Sequence, residues 1–289
     1  MTPAVSAIIP VFNRQTTGLE AIASIQAQRG PPSEIIVVDD GSSPPFDPAH
    51  AAEGPSLVRV LRHRDNAGAA AARNTGIKAA SGRWIAFLDS DDLWYPGKLA
   101  AQVAFAEQGL ASGWPPLTCF MTSFRQISLV TGSSESRNPI DSWAVTDFAA
   151  GCWFAPGTTA LVPVEAFEKI GLFDAALSRL EDLDWYLRLA LAGGGTASLK
   201  TVLADVRVGA AASAAKVDMS TQYLRSKWLA ADANKLAAEA ARNLAAYLAL
   251  EQAKAQFGSR HYLKFSRSLI RSFILRPRTQ LPLRNWWHQ

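Results

Sequence analysis

Three carboxylates follow directly on an apolar run, and their types and spacing suit the binding of a metal ion or a phosphate-bearing ligand. Residues 84–88 contain no turn former and predict a strand buried on both faces, and Asp89, Asp91 and Asp92 come next. Crowded carboxylates repel one another and lose hydration, a cost in free energy that a cation offsets. Side chains alternate along an extended segment, so Asp89 and Asp91 point to one side and offer two oxygens to Mg²⁺ or Mn²⁺.

A second interpretation fits the same residues: a solvated turn in which Asp92 caps the next helix. A second acidic pair helps to choose between a binding site and a solvated turn. Asp39 and Asp40 follow the apolar residues 34–38, and taken alone they also predict a turn. In open α/β sheets, ligands bind at the carboxyl ends of the strands, so two acidic strand ends on one rim favour a shared binding site.

The elements that must position these acids are short apolar runs alternating with helical stretches, which predict βαβ units and a parallel sheet. The predicted strands are residues 5–11, 34–38, 57–61, 84–88 and 117–130, the predicted helices are residues 17–28 and 66–80, and residues 131–139 predict a polar loop. Neither a Gly-x-Gly-x-x-Gly fingerprint nor a Walker loop follows the first strand. A bound nucleotide must therefore be held by strand-end side chains and a metal.

The composition predicts one large folded domain with an appendage, since the chain has 289 residues, of which 48% are hydrophobic. No apolar run reaches the ~18 residues of a spanning helix, and the N-terminus lacks the regions of a signal peptide, so we expect a cytoplasmic protein. The two cysteines, Cys119 and Cys152, and four scattered histidines predict neither a disulfide framework nor a zinc cage. Any metal must be held by carboxylates.

Five motifs over residues 4–208 resemble the family 2 glycosyltransferases, which are inverting enzymes of the GT-A fold that use nucleotide-diphospho-sugars. In chain order they are residues 8–13 (IIPVFN), 37–42 (VVDDGS), 66–76 (NAGAAAARNTG), 87–94 (FLDSDDLW) and 181–185 (EDLDW). The resemblance implies an α/β fold: a Rossmann-like, mixed, mostly parallel sheet flanked by helices over residues 1–208. Residues 209–289 are expected to form a helical, basic C-terminal extension.

The resemblance also implies which residues bind the nucleotide. Pro10 and Phe12 would line the base pocket, where Phe12 offers a ring face to the nucleobase. Asp40 would accept the imide N–H of a uracil or thymine, and Asn66 would reach the nucleotide. The backbone of Ser90 would touch the ribose.

The diphosphate and the metal have their own implied residues. Arg73 would bind the donor diphosphate, because a guanidinium matches phosphate oxygens, although an exposed helix charge is the alternative. Asp89 and Asp91 would hold Mg²⁺ or Mn²⁺, which neutralises charge on the departing nucleoside diphosphate. In this family a His often follows the last strand of the domain and completes the site, whereas Gly209 stands at that position here. This departure concerns the metal rather than the fold.

Residues 180–189 predict a helix whose first turn is acidic. The helix dipole favours Glu181, Asp182 and Asp184 alike and does not choose among them. Successive helical residues point ~100° apart, so at most one faces the sugar. By resemblance that residue is Asp182, the base that removes the proton of the acceptor hydroxyl.

Trp153 and Phe154 are candidates for stacking on an acceptor sugar, or else belong to the core.

The tail differs from the rest of the chain. Residues 254–289 contain eight lysines and arginines and no acid, and Arg260, Lys264, Arg267 and Arg271 recur on one helical stripe beside many apolar residues. A basic amphipathic helix predicts peripheral contact with the cytoplasmic face of a membrane, suited to anionic lipid and to a lipid-linked acceptor. The alternative is that the apolar side packs on the domain and the basic side is solvated. Nucleic acid is not an expected partner.

The sequence therefore predicts an inverting, metal-dependent glycosyltransferase, of hexosyltransferase type, that moves a sugar from a UDP- or dTDP-linked donor to a glycan or glycolipid hydroxyl in cell-surface polysaccharide synthesis. Two alternatives stay open at this point. One is a catalytically silent subunit that binds sugar nucleotides, which the missing His suggests. The other is a sugar nucleotidyltransferase, which has a related sheet but lacks here the Gly-rich phosphate loop.

Overall fold

The strands and helices follow the order predicted for an α/β protein. The structure, a computed structural model, describes residues 4–151, 156–209, 213–230 and 236–277. The strands are β1 (Val5–Val11), β2 (Glu34–Asp39), β3 (Leu57–Arg62), β4 (Trp84–Phe87), β5 (Leu93–Trp94), β6 (Thr118–Ser128), β7 (Ser134–Arg137), β8 (Leu161–Pro163) and β9 (Gly195–Val208). The helices are α1 (Gln15–Gln26), α2 (Ala69–Ala79), α3 (Lys98–Ala111), α4 (Val145–Ala149), α5 (Pro156–Thr159), α6 (Val164–Ile170), α7 (Glu181–Leu191), α8 (Ala214–Leu229), α9 (Ala238–Gly258) and α10 (Tyr262–Leu275).

The strands form one mixed sheet in the order β3-β2-β1-β4-β8-β6-β9-β5, with β7 paired to β6. The four strands β3, β2, β1 and β4 pair in parallel with one another, as do β6 and β9, whereas β8 pairs antiparallel with β4 and β6. Helices cover both faces, so the predicted fold class is confirmed. The parallel half brings the carboxyl ends of β1, β2 and β4 to one rim.

Both faces of the sheet are buried because the central strands alternate their apolar side chains between two cores. Ile8 of β1 belongs to the core that α2 and α7 cover, and Ile9 belongs to the core under α1 and α3. The first core also includes Trp228 of α8 and Leu244 of α9. The helices after residue 208 therefore fold against the sheet domain.

Three local predictions were wrong, each for a physical reason. The predicted loop at residues 131–139 contains β7, whose polar side chains are mostly exposed while its backbone pairs with β6. Helix α2 begins at Ala69 rather than 66, because the preceding backbone, with Gly68 at φ 91°, binds Asp40 instead. Arg260 precedes α10 at φ 60°, so it does not belong to the basic helical stripe.

Helix α10 packs on α9 through two serines and through the ring of Phe265, which contacts the ring of Phe257. Ser272 Oγ donates a hydrogen bond to the carbonyl of Ala246 (2.8 Å), and Ser268 Oγ donates one to Gln256 Oε1 (2.9 Å). The apolar stripe of the helix faces solvent, with exposures of 84% for Leu263, 59% for Ile270 and 73% for Ile274. The helix thus docks on α9, as the alternative prediction expected, while the part of its apolar side that carries these three residues stays exposed to solvent. No helix in the described residues is both long and apolar enough to cross a bilayer.

Candidate active site

A cavity of about 800 Å³ opens at the rim where β1, β2 and β4 end. Its volume lies within the ~300–1,000 Å³ typical of small-molecule sites. All nine residues proposed from the sequence line it: Pro10, Phe12, Asp40, Asn66, Arg73, Asp89, Ser90, Asp91 and Asp182. The two acidic strand ends thus share one pocket. Trp153 and Phe154, the candidates for sugar stacking, lie outside the described residues.

Asp40 is buried and held by the loop before α2. The backbone N–H of Ala67 donates to its Oδ1 (2.9 Å) and that of Gly68 to its Oδ2 (2.8 Å). His63 Nδ1 also contacts Oδ1 (2.7 Å), while Nε2 contacts Thr75 Oγ1 (2.8 Å). Among the described residues Oδ2 has one partner, and a carboxylate oxygen accepts ~two hydrogen bonds, so Oδ2 keeps an acceptor position for an incoming N–H.

Asp39, one position earlier, is a structural residue. It accepts hydrogen bonds from the backbone N–H groups of Ser42 (2.9 Å) and Phe46 (3.0 Å) and is paired with Arg62. Burial alone would raise the pKa of Asp39, but the hydrogen bonds from Ser42 and Phe46 outweigh it and the pKa is lowered. Alternation along β2 explains the division of roles, because adjacent side chains point to opposite sides.

Arg73 lies at the centre of the cavity wall and is only 11% exposed, so the alternative of an exposed helix charge is wrong. Nη2 donates to Asp89 Oδ1 (2.7 Å) and Nη1 donates to Glu181 Oε1 (2.9 Å). Burial opposes the charge, but Asp89 and then Glu181 outweigh it and raise the pKa of the guanidinium. The buried Nε has no hydrogen-bond partner among the described residues, which is uncommon for a native structure.

The three acids after β4 have different environments. Asp89 is paired with Arg73 and Asp91 with Arg14 of the loop after β1. Asp92 is buried, accepts a hydrogen bond from the backbone N–H of Arg207 (2.7 Å) and another from the hydroxyl of Thr158. The interpretation of Asp92 as a helix cap is wrong, because α3 begins later, after Gly97.

Burial is the main reason that the pKa of Asp92 is raised, and the nearby charge of Asp89 adds to the effect.

Gly157 of α5 packs against the carboxylate of Asp89. A Cβ atom at position 157 would lie 2.8 Å from Asp89 Oδ2, closer than a real Cβ atom approaches another atom. Glycine at 157 is therefore required for this position of Asp89.

The pair Asp89 and Asp91 fits a divalent ion that takes one or two carboxylates and completes its shell with water and substrate phosphates. The described residues contain no group of three or more His, Cys, Asp or Glu side chains able to hold a metal by themselves. Gly209 is exposed, and a Cβ atom there would meet no atom of the described residues within 4 Å. Space is thus present where the family often places a His.

Helix α7 presents the three acids of its first turn to different partners. Glu181 pairs with Arg73, and Asp184 is buried between Arg188 Nε (3.0 Å) and Trp228 Nε1 (2.9 Å). Asp182 lines the cavity, and in the described part of the chain its only hydrogen bond comes from the backbone N–H of Leu183 (2.7 Å). Its carboxylate is the one left available for chemistry.

Burial, followed by the charge of Glu181, raises the pKa of Asp182 to about 6. A carboxylate with this pKa is ionised at neutral pH and is a stronger base than an exposed Asp. The residue before the helix, Leu180, adopts φ 63°, a strained conformation for a side chain with a Cβ atom.

Four cavity residues come from helices after position 208 and have no counterpart in the sequence interpretation: Lys216, Tyr247, Glu251 and Lys254. Helix α8 carries the first and α9 the other three. The sequence marks α9 only by its alanine-rich helix propensity, and the side of the helix that faces the cavity depends on packing against α4 and α8. The extension therefore completes the wall opposite the strand ends.

Comparison with known proteins identifies the family. The model of glycosyl transferase family 2 matches residues 6–171. The chain is 44% identical over 104 residues to an uncharacterized glycosyltransferase of Rickettsia conorii, a match that covers 36% of this chain and 17% of that protein. It is 41% identical over 100 residues to the UDP-Glc:alpha-D-GlcNAc-diphosphoundecaprenol beta-1,3-glucosyltransferase WfgD of Escherichia coli, covering 35% of this chain and 40% of WfgD. The chain thus spans less than two thirds of the length of these relatives.

Solved structures show the same architecture. S. aureus TarS superimposes with a TM-score of 0.64 and 19% identity over 98% of this chain and 47% of TarS. A shorter TarS chain in complex with UDP-GlcNAc gives a TM-score of 0.57 at 16% identity, over 92% of this chain and 89% of that one. At these identities the likeness establishes the fold. Because the family model spans more than half of the sequence, this chain belongs to glycosyl transferase family 2, with the GT-A fold that its motifs predict.

Proposed function

We propose that the chain transfers a sugar from a nucleotide-diphospho-sugar to a hydroxyl of a glycan or glycolipid acceptor, with inversion at the anomeric carbon, in the synthesis of cell-surface polysaccharide. One observation carries the proposal: Asp40, Arg73, Asp89 and Asp182 surround a single cavity at the carboxyl ends of parallel strands. Relatives support the reaction class, since WfgD is named as a UDP-Glc-dependent enzyme.

The donor base is proposed to lie between Phe12 and Asp40. Phe12 is 44% exposed at the cavity mouth, so its ring is accessible for stacking, and half-buried Pro10 lies beside it. The remaining acceptor position of Asp40 Oδ2 suits the imide N–H of uracil or thymine, which adenine and cytosine lack. Asn66, which donates to the carbonyl of Asp40 (3.3 Å), completes this end of the pocket. The expected donors are UDP- or dTDP-sugars.

Arg73 is proposed to bind the donor diphosphate. Its guanidinium group lines the cavity, and phosphate oxygens form strong hydrogen bonds with guanidinium groups. Asp89 and Asp91 would hold Mg²⁺ or Mn²⁺, and a bound ion would supply Lewis-acid stabilisation of the departing nucleoside diphosphate. The Ser90 backbone would contact the ribose. The 46% exposure of Arg14 leaves this side chain free to move away from Asp91.

Asp182 is proposed as the general base. The acceptor O–H gives its proton to the carboxylate, the acceptor oxygen forms a bond to the anomeric carbon, and the bond from that carbon to the diphosphate oxygen breaks. The electron pair of the broken bond leaves with the nucleoside diphosphate. Attack from the face opposite the leaving group gives inversion. General base catalysis of this kind is typically worth ~10²–10⁴-fold.

The test is Asp182→Asn, assayed for product from a panel of sugar nucleotides with and without Mn²⁺. We expect transfer to be abolished while UDP binding is retained, because Asn preserves the shape but accepts no proton. Asp141→Asn is the matched control, since Asp141 is 47% exposed and outside the cavity. Full activity of Asp182→Asn would exclude this residue as the base.

The same panel separates the alternative functions. Nucleotide binding without transfer by the unaltered chain would identify a silent binding subunit. Release of pyrophosphate from a sugar phosphate and a nucleoside triphosphate would identify a nucleotidyltransferase instead.

We also propose that α10 contacts the cytoplasmic face of a membrane. Its exposed stripe includes Leu263, Ile270 and Ile274, and burying one such side chain stabilises by ~1.5–3 kcal/mol. The exposed Lys264 and Arg267 lie on the same helix, and their charge favours an anionic bilayer over an apolar protein partner.

Sedimentation with phosphatidylglycerol vesicles tests this contact. Ile270→Gln combined with Ile274→Gln should reduce binding by at least about tenfold, whereas Leu129→Gln, which removes a 60% exposed leucine outside α10, should not. Equal binding by both variants would contradict a membrane role. A lipid-free dimer that the α10 changes dissociate would show instead that a second copy covers the stripe.

A further inference from the structure

His63 supports the carboxylate that is proposed to bind the nucleobase. Its Nδ1 lies 2.7 Å from Asp40 Oδ1, and its Nε2 lies 2.8 Å from Thr75 Oγ1 on α2. Its backbone N–H donates to the carbonyl of Asp39 (2.8 Å), which joins the end of β3 to the end of β2. The side chain is only 20% exposed. Two strand ends and one helix therefore hold this imidazole in place.

The partners of the imidazole fix its tautomer. Both oxygens of Asp40 accept hydrogen bonds from backbone N–H groups, those of Ala67 (2.9 Å) and Gly68 (2.8 Å), so the carboxylate acts as an acceptor. Nδ1 of His63 must then carry a proton and donate it to Oδ1. In a neutral ring the other nitrogen, Nε2, is an acceptor, and the hydroxyl of Thr75 donates to it. A ring rotated to the opposite orientation would lose both hydrogen bonds.

The contact with His63 determines which acceptor positions of Asp40 stay open. Within the described chain, Oδ1 accepts from His63 and Ala67, which uses the ~two acceptor positions of a carboxylate oxygen, whereas Oδ2 accepts from Gly68 alone. The open position on Oδ2 suits the single imide N–H of uracil or thymine. Loss of the imidazole would open a second position on Oδ1, where the exocyclic amino group of cytosine can donate.

The backbone around Asp40 is held without the imidazole. Gly41 packs against the loop before α2, since a Cβ atom at position 41 would lie 2.8 Å from the backbone nitrogen of Asn66. The side-chain amide of Asn66 also donates to the carbonyl of Asp40 (3.3 Å). A change at His63 should therefore leave this loop in place and alter the hydrogen bonding of Oδ1. His63 is not among the residues that line the cavity, so it acts on a ligand only through Asp40.

We propose that His63 is a positioning residue that makes the cavity selective for uracil or thymine over cytosine. Its Nδ1–H occupies Oδ1 of Asp40, which leaves Oδ2 to bind the base. This inference rests on the proposed function and assigns the control of its base selectivity to a residue outside the cavity.

Isothermal titration with UDP and CDP tests the role of His63. The unaltered protein should bind UDP at least about tenfold more tightly than CDP. In His63→Leu, which removes both ring nitrogens, we expect this preference to fall by about tenfold, because Oδ1 gains an open acceptor position. His63→Asn keeps an N–H near the place of Nδ1 and should restore most of the preference. His261→Leu is the matched control and should change nothing, since His261 is exposed and lies outside the cavity.

The variants distinguish positioning from general structural support. An equal loss of affinity for UDP and CDP in His63→Leu would overturn the inference, because a merely structural residue affects both nucleotides alike. An unchanged preference in His63→Leu would overturn it too, as would a preference in His63→Asn no greater than in His63→Leu.

Nitrogen-15 NMR of histidine in the unaltered protein checks the tautomer without any nucleotide. At mildly alkaline pH we expect a protonated Nδ1 and an unprotonated Nε2, and the opposite tautomer would overturn the donation to Asp40. Failure of the unaltered protein to bind UDP would overturn the proposed function and the selectivity together. Retained UDP binding with a changeless His63→Leu would overturn the role of His63 alone.

Discussion

The two walls of the cavity are built from different kinds of structure. The strand-end wall, with Asp40 and Asp89, follows parallel strands whose hydrogen-bonded ladder fixes the backbone. The helical wall, with Asp182, Arg179 and Lys254, comes from the start of α7, the loop before it and the middle of α9. In our proposal the first wall binds the donor and the second binds the acceptor. Changing one wall should therefore leave the function of the other intact.

The largest expected effect comes from the residue that joins the two walls. Arg73→Gln removes the cation that lies between Asp89 and Glu181. We expect UDP binding to be lost and the free energy of unfolding to fall by about 2 kcal/mol, less than the ~3–5 kcal/mol of a fully buried pair because Asp89 is 36% exposed. Calorimetric titration and urea unfolding measure the two effects.

Arg64→Gln is the control for that variant, because Arg64 is 96% exposed and pairs only loosely with Asp65 (3.8 Å). Unaltered UDP affinity in Arg73→Gln would break the assignment of the strand-end wall to the donor.

A methyl group at position 157 should impair the function of the strand-end wall and leave the helical wall unchanged. In Gly157→Ala the new Cβ atom occupies the place of the Asp89 carboxylate, so this side chain must move. Misplacement by about 1 Å typically costs ~10²-fold in rate, and we expect a loss of that order in kcat. Gly209→Ala is the control for a glycine-to-alanine change, since its Cβ atom meets nothing within 4 Å in the part of the chain that the structure describes. Equal kcat for both variants would remove Asp89 from the chemistry.

The pH dependence of kcat/KM should report the ionisation of Asp182 in the helical wall. The pKa of Asp182 is raised to about 6, and only the ionised carboxylate accepts a proton. The value of kcat/KM should therefore be level above pH 6 and fall about tenfold per unit below it. Glu181→Gln should move the midpoint to lower pH, because the charge of Glu181 helps to raise the pKa. A profile that is flat from pH 5 to 8 would contradict the role of Asp182.

The smallest effect is expected from restoring the side chain that the family often carries. Gly209→His has space for its Cβ atom and should strengthen Mn²⁺ binding a few-fold, by adding a nitrogen ligand to those of Asp89 and Asp91. Electron paramagnetic resonance of free Mn²⁺ measures the change. An unchanged affinity would place the ion away from position 209.

The strand-end wall could be predicted because its residues follow short-range patterns. Buried strands appear in the sequence as apolar runs, and β1 spans the predicted residues 5–11. The acids that end β2 and β4 reach one rim because the carboxyl ends of parallel strands lie at the same edge of the sheet. Family resemblance then supplied roles that periodicity alone could not. The three acids of α7 show this limit, since the helix dipole favours all of them and only tertiary packing buries Asp184.

Other features, in the strand-end wall and in the C-terminal extension, could not be predicted because their contacts join distant parts of the chain. Asp92 depends on Thr158 and on the backbone of Arg207, and neither partner is visible from a local motif. His63 was one of four scattered histidines until the fold placed it beside Asp40. The orientation of α10 depends on Phe265 and on two serines that pack on α9, whereas the sequence pattern left open whether its apolar side chains dock on the domain or face a membrane.

The central claim is that this cavity recognises a uracil or thymine nucleoside diphosphate, and a thermal unfolding panel tests it most directly. A ligand that binds only the native state raises the unfolding temperature. We predict that UDP and dTDP raise it, that ADP and CDP do not, and that Asp40→Asn loses the response to UDP. An equal response to all four nucleotides, or no response to any, would contradict the account.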